Sequence, residues 1–367
     1  MLNFPSSRWE QITKACSEFW NRKLNRPLLN VMRGVSADDD KRGAAPDTPS
    51  LSQATCHMDI PAQKWLDRFE YDLEGVRFFG DAFPMFNLES FGPGVAAAFM
   101  GARLDTSTGR VWFHPQKNVP INELTFTYDP NNVWFLKVKE LMAEATRRWQ
   151  GEILVGMPDF GGVLDILSTF LPGEQLLTDL YDAPEEVIRC CNEIQALWFR
   201  YYDELAEVIA PTQGYGSWAG VLMPRGGYMF QCDFAYMISP DMFRTFALDT
   251  LKRDFARSNG SAYHLDGIGQ LPHLDMLLAM DDLQMVQWIP GAGSAPECAW
   301  PAVHKKILQA GKHIQLLASP IDALRPYLGT LRDSLGAAHN AQMRVWTNES
   351  DVEIQRFIDE TYRLYEG

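Results

Sequence analysis

The chain has 367 residues, of which 46% are hydrophobic and 12% aromatic, enough apolar side chains to fill a substantial core. Its formal net charge of -14 creates a field that repels nucleic acid and anionic lipid surfaces. The first ten residues are polar and charged where a secretory signal needs an apolar run, and no apolar stretch is long enough to span a bilayer. These features predict a cytoplasmic protein that binds neither nucleic acid nor membrane.

Short apolar runs alternate with amphipathic segments along the chain, an order typical of a parallel sheet with helices outside it. Polar residues 36–52 are predicted to form a surface loop. Three helices are predicted: Pro184–Val208, a second that Ser239 caps and that runs to about Ala256, and a third over about Ala299–Gly311. The predicted strands are Leu28–Met32, Phe83–Leu88, Ile153–Met157, Tyr215–Val221, Ser261–Leu265, Gln284–Ile289, His313–Ala318 and Gln342–Trp346.

Eight strands with helices between them predict an α/β fold of the (β/α)8 TIM-barrel type, built as a single domain over residues 1–367. Residues 1–80 are expected to supply N-terminal helices and the loop, and residues 81–367 the main barrel. An open doubly wound sheet has the same alternation. The closed barrel is favoured because no GxGxxG turn follows an early strand.

Polar residues follow several predicted strands, and in a barrel such positions converge on one face. The sharpest pair is His264 and Asp266, which are two apart on a strand and therefore point to the same side. They form either an acid–base dyad, with Asp159 as a further catalytic carboxylate, or part of a zinc site. In the simplest alternative, they bond only each other or the backbone and close the turn at Gly267.

Six further residues near strand ends are predicted to line a substrate pocket: Asn87, Glu89, Trp218, Gln231, Asp233 and Trp288. The two indoles would form its walls, with core packing as their alternative role. For Gln231 and Asp233, the alternative is a role at the start of the following helix. Glycine-rich turns at residues 91–94, 160–162, 266–269 and 290–293 would let the backbone approach a ligand closely, although glycine is also common in ordinary turns.

Residues 231–293 contain QCDFAYMISPDMFRTFALDTLKR and YHLDGIGQLPHLDMLLAMDDLQMVQWIPGAG. This succession of a MISPxMF-type helix start, a strand with histidine, a glycine turn and a helix resembles the uroporphyrinogen decarboxylase superfamily. FGPGVAAAFMG and LLTDLYDAPEEV resemble it too. The resemblance implies a TIM barrel with its site at the carboxyl ends of the strands. The decarboxylase branch carries an RQAGRY-type motif that grips substrate carboxylates, and this sequence lacks that motif.

Another branch of the superfamily contains zinc-dependent methyltransferases that move a methyl group between a corrinoid and a thiol, or demethylate small methylated compounds. Their zinc is held by a His-x-Cys pair and a second cysteine near the last strand. The matching positions here hold His264, Asp266 and the segment ending in Glu349. The resemblance therefore implies a zinc site of His264, Asp266 and Glu349, with carboxylates replacing thiolates, and a corrinoid (cobamide) carried by a partner protein.

Three functional hypotheses follow. The first is a methyltransferase or demethylase that acts on a small organic substrate with a corrinoid partner. The second is a metal-free decarboxylase or other lyase on a small carboxylated substrate, in which Asp159 stabilises a protonated intermediate and His264 shuttles the proton. The third is a non-catalytic binding subunit that retains the barrel. The sequence leaves the oligomeric state open, a homodimer being one option.

Overall fold

A computed structural model describes residues 4–107, 111–210, 214–317, 320–335 and 340–365. Its strands are β1 (Leu28–Gly34), β2 (Val76–Gly80), β3 (Met85–Phe86), β4 (Arg103–Asp105), β5 (Trp112–His114), β6 (Leu154–Val155), β7 (Tyr215–Gly216), β8 (Leu222–Met223), β9 (Tyr228–Gln231), β10 (Ser261–Asp266), β11 (Leu283–Ile289), β12 (His313–Leu317) and β13 (Ala341–Trp346). Its helices are α1 (Ser6–Trp20), α2 (Ala62–Glu74), α3 (Val95–Phe99), α4 (Val133–Trp149), α5 (Val163–Phe170), α6 (Gln175–Asp182), α7 (Pro184–Ile209), α8 (Pro240–Phe246), α9 (Leu248–Arg257), α10 (Leu274–Leu278), α11 (Pro301–Gln309), α12 (Ile321–Leu335) and α13 (Asp351–Tyr365).

The centre of the fold is a seven-stranded sheet in the order β2-β1-β13-β12-β11-β10-β9. All neighbours in it are parallel except β2, which runs antiparallel to β1 at one edge. From β9 onward a helix joins each strand to the next, as parallel neighbours require. The fold is therefore α/β with a mostly parallel sheet, and residues 1–80 contribute two of its strands.

A second parallel pair, β3 with β6, lies outside this sheet and is extended by a bridge between Gly156 and Gly216. Within the described ranges, no strand ladder joins this pair to both edges of the large sheet, so a closed barrel is not detected. The α/β class of the prediction is confirmed. The closure of eight strands stays a prediction.

The predicted strands at β1 and β10 to β13 are confirmed, but β9 was not predicted. Its sequence, Tyr228–Gln231, is buried on both faces, so it lacks the alternation that marks a half-exposed strand. The predicted helix after Ser239 is interrupted at Ala247 and becomes α8 and α9, while the Ser239 hydroxyl caps it as expected by accepting from Met242 N. Gly311 has the positive φ of 75° typical of a glycine after a helix.

One face of the large sheet carries a row of polar side chains. The strand register pairs each member with the next across four ladders, so all five project to the same side. This polar row consists of Gln231, His264, Gln287, Gln315 and Gln342. Two residues further along their strands lie Asp266 and Arg344, nearer the carboxyl ends.

On the other side of the polar row, toward the amino ends of the strands, the same face is apolar. Met229, Ala262 and Met285 belong there to a buried cluster that also contains Phe19 and Trp20 of α1. The Trp20 indole donates to the carbonyl of Leu222 over 2.9 Å. Helix α1 therefore covers the amino-terminal end of the strands, and polar chemistry is confined to the carboxyl end. Across the residues that the structure describes, no helix has the length and apolar character needed to cross a bilayer.

Candidate functional site

Three acidic and imidazole side chains meet at the carboxyl ends of β9 and β10. Asp233, His264 and Asp266 each offer a ligand atom, and these atoms lie within 4.8 Å of one another. His264 and Asp266 share a face of β10, as their spacing predicts. Asp233 begins a 3-10 helix just after β9, and the pairing of Gln231 with His264 brings residue 233 beside residue 266. We call these three residues the acidic-imidazole cluster.

Hydrogen bonds along the polar row fix the proton on the His264 ring. The carbonyl oxygen of Ala219 only accepts, so the amide nitrogen Nε2 of Gln315 faces it, at 3.0 Å. The Oε1 atom of Gln315 then accepts from Gln287 Nε2 over 2.5 Å. This turns Gln287 Oε1 toward His264 Nδ1, which must donate to it. Nε2 of His264 keeps its lone pair, available to a metal or a proton.

The environment favours a neutral His264. Burial lowers the pKa of the imidazole, more than its bond to Gln287 and the charge of Asp266 raise it. The ring of Trp218 packs edge-on against it, with centroids 5.2 Å apart, and the Trp218 indole is held by a bond to Met229 O at 3.0 Å. Trp218 thus positions the imidazole from the side. A neutral, oriented imidazole is the form that binds a metal.

Asp233 carries a strongly perturbed carboxyl. Burial first, and then the nearby carboxylates of Asp165, Asp266 and Asp159, together raise its pKa to about 9. Its Oδ1 atom is buried and accepts no hydrogen bond from the described residues. A carboxyl in this state holds a proton at neutral pH, unless a bound cation supplies the missing positive charge.

Asp165 holds the loop that carries Asp233. Its carboxylate accepts from the backbone N–H groups of Asp233 at 3.0 Å, Phe234 at 2.7 Å and Gly162 at 3.1 Å. The sequence reasoning missed this residue, whose signal is an acidic residue in the first turn of α5, after two glycines. Asp159 lies nearby; its pKa rises to about 7, chiefly through burial, and its Oδ1 accepts from Gly161 N at 2.9 Å.

A cavity of about 790 Å³ adjoins the cluster. Of the predicted pocket residues, it is lined by Asn87, Glu89, Gln231 and Asp233, and the predicted turn glycines Gly94 and Gly161 also border it. Apolar walls come from side chains that were not predicted: Leu51, Phe69, Val111, Trp112, Phe113 and Ile166. The cavity is large enough for a small organic molecule.

A smaller cavity of about 230 Å³ is adjacent to the first, since Phe69, Asn87 and Glu89 border both. Asn87 Nδ2 donates to Trp218 O at 2.8 Å and to Glu89 Oε1 at 3.1 Å. Its own carbonyl oxygen is buried and has no partner among the described residues. The pair of Asn87 and Glu89 therefore lies where the two cavities meet.

Two predicted site residues lie elsewhere. Trp288 is fully buried in the apolar core and packs edge-on against Trp300 at 5.5 Å. Its neighbour Gln287 belongs to the polar row, so Trp288 must point to the opposite face of β11, toward the helices. Glu349 is exposed beyond the end of β13 and is not part of the acidic-imidazole cluster, in which Asp233 is the third member instead.

No family model matches the chain, and no curated protein matches it. Among solved structures, it is similar to a methyltransferase from Methanosarcina mazei, with a TM-score of 0.55 and 11% sequence identity. The match covers 87% of this chain and 92% of that chain. At this identity the likeness establishes a shared fold, and the chemistry has to be inferred from the chain's own residues.

Proposed function

We propose that this protein is a methyltransferase of the uroporphyrinogen decarboxylase superfamily. It would move a methyl group between a small organic substrate and a corrinoid carried by a partner protein. One observation carries the proposal: a neutral imidazole of fixed tautomer converges with two carboxylates beside a large cavity at the carboxyl ends of parallel strands. The fold likeness to a methyltransferase supports it.

The proposal includes a closed barrel made of the large sheet and the β3–β6 pair. Three hydrogen bonds support it. On one side, the Met157 amide just after β6 donates to Gly216 O of β7 over 2.7 Å, and the Trp218 indole just after β7 donates to Met229 O of β9 over 3.0 Å. On the other side, the Asn30 amide of β1 donates to Asp81 O, four residues before β3, over 3.1 Å. Such contacts are expected where short strands complete a barrel.

The acidic-imidazole cluster fits zinc. Nε2 of His264 has a lone pair, the buried Oδ1 of Asp233 needs a positive partner, and Asp266 completes a set of three protein ligands. Three nitrogen and oxygen ligands with a fourth position open are typical of catalytic zinc. When bound, zinc would supply a positive charge that stabilises the anionic form of a substrate heteroatom at that position.

The surrounding residues would position this set. Gln287 holds the His264 ring and its tautomer, and Asp165 holds the backbone on which Asp233 is carried. The cavity wall that contains Phe69 and Phe113 would shield the reacting atoms from water. Orientation and exclusion of water are the contributions expected from the protein in group transfer.

The surface near the cluster supports a protein partner. Tyr236 is 51% exposed, Met237 is 56% exposed and Ile268 is 47% exposed, and these residues follow Asp233 and Asp266 in the chain. Exposed apolar side chains grouped at a site are commonly covered by another molecule. We propose that the corrinoid protein docks on this side, where its cofactor can reach the cavity.

Elemental analysis combined with a methyl-transfer assay tests the proposal. The wild-type protein should contain one zinc per chain and exchange a methyl group between methylcobalamin and a small thiol. Asp266→Asn should lose both metal and transfer, whereas Glu349→Gln, which alters an exposed acid outside the cluster, should keep both. Wild-type protein with neither bound divalent metal nor methyl exchange would refute the proposal.

The protonated acids favour a second candidate, the metal-free decarboxylase or lyase. Asp233 and Asp159 have pKa values of about 9 and about 7, the range in which a carboxyl group donates a proton at neutral pH. This candidate predicts turnover of a small carboxylated substrate that survives exhaustive chelation. Complete loss of turnover on metal removal contradicts it.

A further inference from the structure

The side chain of Arg344 borders the smaller cavity and plays no part in the acidic-imidazole cluster. It lies two residues after Gln342 on β13 and therefore projects to the same face as the polar row. Around it the cavity is bordered by Asn30, Trp346, Asn87 and Glu89. The guanidinium of Arg344 thus borders the smaller cavity, and Asp233 of the acidic-imidazole cluster borders the larger one.

Arg344 differs from Arg26 and Arg148, which are also half-buried, because it has no hydrogen-bond or ion-pair partner in the described part of the chain. Arg26 pairs with Asp81 at 2.6 Å, and Arg148 pairs with Glu70 at 2.8 Å. For Arg344, the described residues provide neither a hydrogen bond nor an ion pair within 4.0 Å. Burial lowers the pKa of its guanidinium, and the more distant charge of Glu89 only partly opposes this. A desolvated cation without a partner destabilises a fold unless a ligand supplies the anion.

The backbone beneath Arg344 is shaped to accommodate it. Gly220 adopts a positive φ of 76°, and a Cβ atom at this position would lie 2.6 Å from Arg344 Nε. Glycine therefore permits both the turn and the close approach of the guanidinium. Glu89, the acid whose charge acts on Arg344, accepts at its Oε1 from the Asn87 amide instead. The donors of the guanidinium stay available on the cavity side.

We propose that Arg344 binds the carboxylate of a small-molecule substrate whose reactive end reaches the acidic-imidazole cluster. Arginine matches a carboxylate with two parallel N–H bonds, which suits recognition of a terminal acid group. Phe69, Asn87 and Glu89 border both cavities, so the proposed substrate would extend past these side chains from one cavity into the other. That the other end of the substrate carries the transferred methyl group rests on the proposed methyltransferase function. Together, the two assignments make the substrate a small methylated carboxylic acid.

Calorimetric titration with 3-(methylthio)propionate and with its neutral analogue 3-(methylthio)propanamide tests this inference. The wild-type protein should bind the acid about tenfold more tightly than the amide, a difference of about 1.4 kcal/mol. Arg344→Gln should lose that preference while its amide binding is unchanged. Arg344→Lys keeps the positive charge but loses the two parallel N–H donors of the guanidinium, so it should retain part of the preference for the acid. Arg363→Gln, at an exposed position on α13, is the matched control and should bind like wild type.

Three results overturn the inference: equal binding of acid and amide by wild type, an unchanged preference in Arg344→Gln, or no binding of the acid. Because Arg344→Gln removes an unpaired charge, it should unfold at the same or a higher temperature. If that variant does not fold, Arg344→Lys decides the outcome by the same preference. Failure of the proposed function is separate, since Asp266→Asn should abolish metal binding and keep the preference for the acid.

Discussion

His264 and Gln287 lie side by side on β10 and β11, with the imidazole Nδ1 donating to the amide oxygen. Gln287 is in turn oriented by Gln315 and the carbonyl of Ala219. A backbone carbonyl in the interior therefore determines which nitrogen of His264 faces the cluster. On the proposed function, the metal affinity of His264 would therefore depend on Gln287 and Gln315, which are not among the proposed metal ligands.

Replacing Gln287 with leucine should weaken metal binding. The variant removes the acceptor for Nδ1–H, so the ring loses its fixed tautomer and orientation, and zinc affinity should fall by about 10- to 100-fold. Competition with a chromophoric chelator measures the change. Gln342→Leu, in the same polar row without a bond to His264, is the control and should leave the affinity unchanged. Equal losses in both variants would show that packing of the row, not the Nδ1 bond, matters.

The stability of the metal-free protein should depend on pH through Asp233. Its folded-state pKa of about 9 lies above the unfolded value, so the folded state binds the extra proton, and the stability from this group declines as pH rises from about 4 to about 9. Asp233→Asn mimics the protonated form and removes this decline. Urea unfolding at about pH 5 and about pH 8 should show that the free energy of unfolding of the variant, relative to that of wild type, is higher at about pH 8 than at about pH 5. The exposed variant Asp241→Asn should follow the wild-type profile.

Replacing Asp165 with alanine should destabilise the fold and loosen the cluster together. Three backbone N–H groups lose their acceptor, and each unsatisfied buried group costs about 1 to 3 kcal/mol. Because two of these groups belong to the segment that begins at Asp233, metal affinity should fall as well. Chemical denaturation and zinc competition measure the two effects. Asp275→Ala, at an exposed position, should change neither; unchanged zinc affinity in Asp165→Ala would contradict the positioning role.

Trp288 should behave as a core residue rather than a pocket wall. Its indole is fully buried among apolar side chains and its N–H has no partner among the described residues, so Trp288→Phe should be tolerated. Trp288→Ala should lower the free energy of unfolding by about 3 to 5 kcal/mol. Thermal or urea unfolding checks both variants, and substrate binding by Trp288→Phe should match wild type. If Trp288→Phe loses substrate binding but keeps its stability, Trp288 contributes to the pocket after all.

The sequence predicted the part of the cluster that depends on local geometry. His264 and Asp266 project together because a strand alternates its faces, and no tertiary information is needed to see it. Asp233 was expected in the pocket but not beside Asp266, because that proximity depends on β9 pairing with β10. Strand β9 is too short and too uniformly buried to show a periodic signal.

The remaining misses also have physical reasons. Asp165 acts through backbone groups 68 and 69 residues away, a contact that spacing along the chain cannot reveal. The orientation of Trp288 follows from that of Gln287, but both faces of β11 are largely buried, so the apolar pattern does not distinguish them. The distance of Glu349 from the cluster depends on where β13 ends, and strand ends are the least reliable part of a sequence prediction.

Helix α1 affects the direction from which molecules can approach the candidate site. With Phe19 and Trp20 packed against the amino-terminal end of the strands, that route to the interior is blocked. Among the described residues, the cavity that Asp233 borders lies at the opposite, carboxyl end of the strands. On the proposed function, methyl donor and methyl acceptor would both approach from that end, so we expect one of them to leave before the other binds.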